Sequence, residues 1–153
     1  MAFIDVVTLA EAKLYLRVDD GFTADDSLIT ILINAAGNII EAHTNHLLYS
    51  RAKTYKFYDG YVRVYDYPIN SVTSPDETDI DVEELSLYTL YQYSSGDLVL
   101  NVGYTLPTDV PPMLKIKMLE VIDALYNGND TESITNFNND LYKSISIYRR
   151  FTV

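Results

Sequence analysis

Apolar residues occur near the start of the chain at positions 9, 12, 14, 16 and 18. Thr8 is followed three residues later by Glu11, the spacing of a capping box, and this predicts a first helix over about 9–17. We expect the helix to stop at residues 19–21, because Gly21 can adopt the left-handed backbone conformation that often ends a helix.

A second and longer apolar pattern follows Ala24. Asp25 and Asp26 can cap a helix here and complement its positive end. The pattern is apolar over more than half the helix circumference, which predicts a central helix packed on two sides. Gly37 indicates a close contact with another helix, and the helix should end near residues 44–45. Its apolar positions are Leu28, Ile29, Ile31, Leu32, Ile33, Ala35, Ala36, Ile39 and Ile40.

Residues 53–104 change to an alternating, tyrosine-rich pattern that is typical of strands. Asp59-Gly60 predicts a hairpin turn between strands at 55–58 and 61–65. Residues 74–84 are polar and acidic and predict an exposed loop. One further short strand is predicted directly after the turn at 67–68. Two more are predicted at 85–93 and 98–104, joined across 94–97.

Two further helices are predicted after the strands. Pro111 and Pro112 suit a first helical turn, and the apolar pattern continues to residues 127–128. After a polar loop at 129–139, a last helix over about 140–150 carries Leu141, Ile145 and Tyr148 on one face. The predicted fold class is α+β, a mainly helical bundle with a β-rich insertion at about 53–104, in a single domain over 1–153.

Composition narrows the classes of function. The chain has 153 residues, no cysteine and a net charge of −11, so disulfides, zinc thiolate sites and a cysteine nucleophile are excluded, and a grip on nucleic-acid phosphates is disfavoured. No apolar run approaches the roughly 18 residues of a membrane span. No secretory signal is visible at the N-terminus, so we expect folding in a cytoplasm. The 14 tyrosines fit either protein interfaces or ordinary strands.

Two weak metal patterns compete with ordinary structural roles. His43 and His46, with Glu41 nearby, could face one metal ion, but ordinary helix-end polar residues are the favoured interpretation, because two imidazoles lack a well-placed third ligand. Asp79, Asp81 and Glu83 have the spacing that opens a calcium loop.

Position six of that loop is Glu84, where a glycine is required, so a solvated acidic segment is the better interpretation. Asp76, Glu77 and Glu84 could add oxygen ligands. We predict no catalytic residue, no cofactor and no metal.

Four of the eleven basic residues fall within 51–63: Arg51, Lys53, Lys56 and Arg63. They alternate with tyrosines and could form one face of a strand pair. Nucleic-acid contact is possible there. A salt-bridging face towards an acidic neighbouring subunit is favoured, because the chain as a whole is acidic.

Several segments, taken in order, resemble the head–tail connector (adaptor) proteins of long-tailed bacteriophages. The segment from Thr8 to Asp19 is similar to that family's opening helix, and residues 25–36 to its second helix. Later landmarks are residues 67–72, Val102-Gly103-Tyr104, Val110-Pro111-Pro112, Leu125-Tyr126 and the closing Tyr148-Arg149-Arg150. Gly128 stands where many members carry arginine, and the acidic segment 74–84 is long.

This resemblance implies a structural virion protein in the phage neck, without enzymatic activity. It implies a homo-oligomeric ring, commonly of twelve copies, between the portal protein and a tail-side stopper or tail-completion protein. DNA would pass through the channel without specific binding, and no membrane is involved. We expect the last helix to dock into the portal through Leu141, Tyr142, Ile145, Tyr148, Arg149 and Arg150. The alternatives are another neck protein of the head-closure or tail-completion type, a small acidic hydrolase, and a bacterial regulatory or scaffold module.

Overall fold

Helices stand on both sides of a strand-rich section in the computed structural model, which describes residues 2–94, 96–128, 143 and 146–148. The helices are α1 (Phe3–Val6), α2 (Leu9–Leu16), α3 (Asp26–Thr44) and α4 (Pro112–Asn127). The strands are β1 (Arg51–Lys56), β2 (Tyr61–Val64), β3 (Ile69–Ser74), β4 (Asp81–Glu84), β5 (Thr89–Gln92) and β6 (Asp97–Val102). None of the helices in these described ranges is both long and apolar enough to cross a membrane.

Helix α2 begins as the sequence predicts and ends earlier. The Thr8 hydroxyl accepts a hydrogen bond from the Glu11 amide at 3.2 Å, and the Thr8 amide donates to the Glu11 carboxylate at 2.7 Å, so the capping box is confirmed. The prediction that Gly21 ends the helix is wrong. Arg17 adopts the left-handed conformation instead, with φ of 59°, and its amide donates to the carbonyl of Leu14.

Helix α3 is the central element of the helical part, packing against α1, α2 and α4. The close contact predicted at Gly37 is confirmed, and its partner is the ring of Phe3 in α1. The helix ends at Asn45, with φ of 58°, as predicted. Leu28 and Ile31 differ from the expectation, because they lie exposed on the face opposite the buried Ile29 and Ile33.

The strands form two antiparallel three-stranded sheets, with the orders β1-β6-β3 and β2-β5-β4. The hairpin prediction is right at its turn and wrong beyond it. Tyr58 and Tyr61 exchange backbone hydrogen bonds of 3.0 and 3.1 Å around Asp59 and Gly60, both of which have positive φ. The chain then passes to the other sheet, because β1 pairs with β6 whereas β2 pairs with β5.

The acidic segment 74–84, predicted as a loop, also contains regular structure. A short 3-10 helix covers Glu77–Asp79, and β4 follows it as an outer strand paired with β5. All four side chains of β4 are exposed, so the strand lacks the apolar alternation by which half-buried strands are recognised.

The prediction of a mainly helical bundle with a β-rich insertion is wrong, although the class is α+β. Both sheets contribute side chains to a hydrophobic core of their own, separate from the core of the helices. The sheet core contains Leu47, Val64, Ile80, Tyr91, Leu98, Leu100 and Val102. The helical core includes Ile29, Ile33, Ile40, Leu114, Met118 and Ile122. The strand section is therefore a second packed unit rather than an appendage of the bundle.

Candidate functional site

Of the residues predicted to dock into the portal, only Tyr148 lies in the part of the chain that the structure describes. Tyr148 lies in a 3-10 turn at Ser146–Tyr148, and its half-buried side chain packs against the helical core. Its ring stands edge-on to His46, with 5.7 Å between ring centroids. Tyr148 therefore anchors this turn to the body of the subunit. The other predicted docking residues lie outside the described residues: Leu141, Tyr142, Ile145, Arg149 and Arg150.

His46 is at the centre of an aromatic cluster. Its Nδ1 lies 2.8 Å from the hydroxyl oxygen of Tyr104, and its ring centroid is 4.9 Å from that of Tyr67. Burial raises the pKa of the Tyr104 phenol, and the neighbouring Tyr67 and Tyr148 raise it further. The cluster joins the end of α3 to the chain entering β3 and to the chain leaving β6.

The two histidines have different surroundings. His43 lies in the last turn of α3, and its Nδ1 is 2.8 Å from the carbonyl oxygen of Ile39, whereas the Nδ1 of His46 faces a phenol. Across the residues that the structure describes, no three His, Cys, Asp or Glu side chains are grouped to hold a metal ion. These contacts fit the interpretation of the histidines as helix-end polar residues.

The spacing that suggested a calcium loop falls on extended backbone. Asp79 ends a 3-10 helix, and Asp81 and Glu83 lie in β4, two residues apart on one face. Glu84 is on the opposite face of that strand, because successive side chains of a strand alternate. A straight strand cannot wrap these carboxylates around one ion, and a calcium loop requires such wrapping.

The basic patch divides into two pairs. The Arg51 guanidinium forms two hydrogen bonds with the buried Glu41 carboxylate, at 3.0 and 2.6 Å, and the bonding to Glu41 raises the pKa of Arg51. Lys53 forms an ion pair with Asp66 at 2.5 Å. These two cations thus act within the subunit. Lys56 and Arg63 form no ion pair with the described part of the chain, so they remain candidates for an external contact.

Helices α2 and α3 each carry exposed apolar side chains, which are further candidates for protein contacts. Leu14 is 78% exposed and Ile31 is 64% exposed, and Leu28 lies one turn from Ile31 on the same face of α3. Exposed apolar groups gathered on one side of a domain commonly mark protein contacts. The sequence pattern placed Leu28 and Ile31 on a central helix packed on two sides. Their spacing opposite positions 29, 33, 36 and 40 was the signal that α3 has two apolar faces.

Comparison with known proteins identifies the class. The profile of the family described as Phage gp6-like head-tail connector protein matches residues 6–148. The chain belongs to this family, whose members are structural proteins of the virion at the connection between head and tail. The resemblance seen in the sequence is therefore confirmed. No curated protein matches the chain.

Solved structures have the same fold at low sequence identity. A chain in the neck of an empty gene transfer agent (GTA) particle, computed with C6 symmetry, aligns with a TM-score of 0.73 and 15% identity over 97% of this chain and 91% of that one. A chain in the virion of a native GTA particle aligns with a TM-score of 0.70 and 14% identity, at the same coverage. Identities this low support the shared fold alone.

Proposed function

We propose that this protein is the head–tail adaptor of a phage-like particle, acting as one connector domain. Its copies form a ring, commonly of twelve, that binds the portal on one side and a stopper or tail-completion protein on the other. The observation that carries the proposal is the exposure of Leu14 and Ile31 on a well-packed subunit, because such apolar surface is expected to be covered in an assembly. The role requires shape and contact and involves no chemical step.

The portal contact is assigned to the C-terminal segment 141–153. We assign the contact to the residues on either side of the turn at Ser146–Tyr148, because Tyr148 itself packs against the body of the subunit. Lys143, Arg149 and Arg150 are the cations of this segment and suit an acidic partner surface.

The charge of the subunit suits a channel for DNA. With a net charge of −11, an acidic ring would repel phosphates and let DNA slide through instead of holding it. Assembled rings should show no retardation of duplex DNA in a gel at physiological salt. Rings that bind duplex DNA tightly, or a channel densely lined by lysine and arginine, would contradict this part of the proposal.

Electron microscopy of the protein mixed with its portal ring tests the proposal directly. We expect a symmetric extra layer on the portal, and absence of that layer would refute the adaptor role. Deletion of 141–153 should abolish the layer while circular dichroism keeps its native shape. Because deletion also removes Tyr148 from the core, the variant R149E/R150E provides a second test that leaves this packing intact. If the layer persists with both variants, the assignment of portal docking to residues 141–153 is refuted, while the adaptor role stands.

A further inference from the structure

The sheet β2-β5-β4 carries opposite charges on its two outer strands. One outer strand, β2, has the sequence Tyr-Val-Arg-Val, and the other, β4, has Asp-Val-Glu-Glu. An outer strand presents unpaired backbone groups along its open side, and natural proteins either protect such an edge or use it for pairing. The two edges therefore offer two different surfaces on opposite sides of one sheet.

An open groove runs beside β2, where β1 ends and the chain turns into the other sheet. Its lining residues are Tyr55, Lys56, Tyr58, Tyr61, Val62, Arg63 and Tyr65. Tyr58 is 71% exposed. The Arg63 guanidinium lies 5.4 Å from the ring centroid of Tyr61 and 5.7 Å from that of Tyr88, which orients the cation without neutralising it. The groove is thus cationic and aromatic on a strongly acidic protein.

The β4 edge has the complementary character. Asp81 and Glu83 are exposed on one face of the strand, and neither forms an ion pair with the residues that the structure describes. Val82 between them is 46% exposed. An acidic strand with a free apolar side chain at its centre matches a groove of cations and tyrosines.

Register places the complementary groups on the same rungs of the sheet. Arg63 and Glu83 both pair with Leu90, from its two sides. Tyr61 and Asp81 likewise both pair with Gln92. A second copy shifted sideways by one sheet width therefore brings its Glu83 beside Arg63 and its Asp81 beside Tyr61. Such a head-to-tail contact is the kind that closes into a ring.

We propose that β4 of one copy docks into the groove beside β2 of the next copy, with Glu83 facing Arg63. This proposal rests on the ring proposed above and specifies the contact between neighbouring subunits in it. A second copy is the occupant favoured by the structure, because both halves of the match lie on one subunit in the same register. Copies that each carry a charge of −11 repel one another, so assembly needs local attraction of this kind.

Cysteine cross-linking tests the contact in the ring formed with the portal. The chain has no cysteine of its own. In the variant Y61C/D81C the two positions lie about two strand spacings, or ~10 Å, apart within one subunit. A disulfide needs Cα atoms closer than about 7 Å, so any bond must join different copies.

We expect oxidation of Y61C/D81C to give a ladder of covalent oligomers. Either single variant can give dimers at most. The variant Y61C/D109C is the matched control, because Asp109 is an exposed acid outside the sheets. It should give no ladder. A ladder from the control, or none from Y61C/D81C, overturns the proposal.

Charge reversal tests the same contact without cysteine. R63E and E83R should each weaken ring assembly about tenfold or more, and the double variant R63E/E83R should restore it. K115E changes the net charge as much as R63E does, at a lysine of α4 outside the sheets, and should assemble normally. If the single reversals assemble normally, the interface assignment fails while the adaptor proposal stands. If the wild-type protein forms no layer on the portal, the adaptor proposal itself fails.

Discussion

The ring of Phe3 packs directly against Gly37. A Cβ atom at residue 37 would lie only 2.2 Å from the Cδ1 atom of Phe3. This contact fastens the short helix α1 to the central helix α3. Helices α1 and α3 can therefore approach this closely only because residue 37 has no side chain.

Replacing this glycine should destabilise the protein. G37A gains about 1 kcal/mol of helix propensity, but overpacking against Phe3 should cost about 1–3 kcal/mol and displace α1. We expect a lower free energy of unfolding in urea. In the F3A background the same substitution should lose its cost, and an equal cost in both backgrounds would contradict this explanation.

Lys13 is a buried cation that organises the connection between α2 and α3. Its ammonium donates to the carbonyls of Asp20 and Phe22 at 3.0 and 2.8 Å and to the Asp26 carboxylate at 3.0 Å. K13M should lower the free energy of unfolding by about 2 kcal/mol, because these acceptors lose their donor. K115M removes a lysine without an ion pair in the described chain and should change stability little. Equal losses for the two variants would argue against a special role for Lys13.

Glu41 connects the helical core to the first sheet. Besides Arg51, its carboxylate accepts a hydrogen bond from the Leu48 amide at 2.7 Å, and the residue is only 8% exposed. Removing the charge with E41Q should cost about 2–4 kcal/mol in urea unfolding, because Arg51 is left without its anion.

The matched control is E120Q, which breaks the Lys117–Glu120 pair within α4. A helix pair of this kind contributes about 0.5 kcal/mol or less, so the expected loss is small. A loss for E120Q as large as that for E41Q would contradict the importance assigned to burial.

The raised pKa values of Tyr55 and Tyr104 predict how the free energy of unfolding changes at high pH. Burial raises the pKa of Tyr55 and Tyr104 above the usual phenol value of about 10, and hydrogen bonding to Asp66 adds to the effect at Tyr55. Because the folded pKa is the higher one, the folded state keeps these protons longer than the unfolded state does. The stabilisation is complete below pH ~10 and is lost as the pH rises towards the folded pKa values.

Absorbance at 295 nm during an alkaline titration checks this expectation. Tyr55 and Tyr104 should ionise only as the protein unfolds, after other tyrosines have done so. Y55F and Y104F should each remove about one tyrosine from the late fraction. A late fraction that neither variant reduces would contradict the assignment.

Local signals in the sequence predicted helices α2, α3 and α4 well, whereas the short helix α1 was not predicted. Thr8 and Glu11 start α2, Asn45 ends α3, and Pro112 opens α4, and each of these signals lies within a few residues of the feature it specifies. The end of α2 was missed because Arg17 adopts a conformation more typical of glycine, and nothing in its neighbours indicates that. Leu28 and Ile31 were placed on a helix packed on two sides, because periodicity identifies an apolar face without saying whether this subunit covers it.

Pairing between distant strands could not be predicted in the same way. Asp59 and Gly60 predict a turn, but they carry no information that β1 pairs with a strand more than forty residues later. The partners of the basic residues within 51–63 could not be predicted from the sequence for the same reason. Arg51 and Lys53 have carboxylate partners in the fold at Glu41 and Asp66, and only the tertiary structure separates them from Lys56 and Arg63.

The position of β6 at the centre of the first sheet has a consequence for biosynthesis. Both β1 and β3 pair with β6 and not with each other, although β6 is the last of the three to be made. On the ribosome, this sheet cannot assemble until residue 102 has emerged from the exit tunnel. Nascent chains that stall earlier would expose two strands without their partner, and unpaired strand edges of this kind are prone to aggregation.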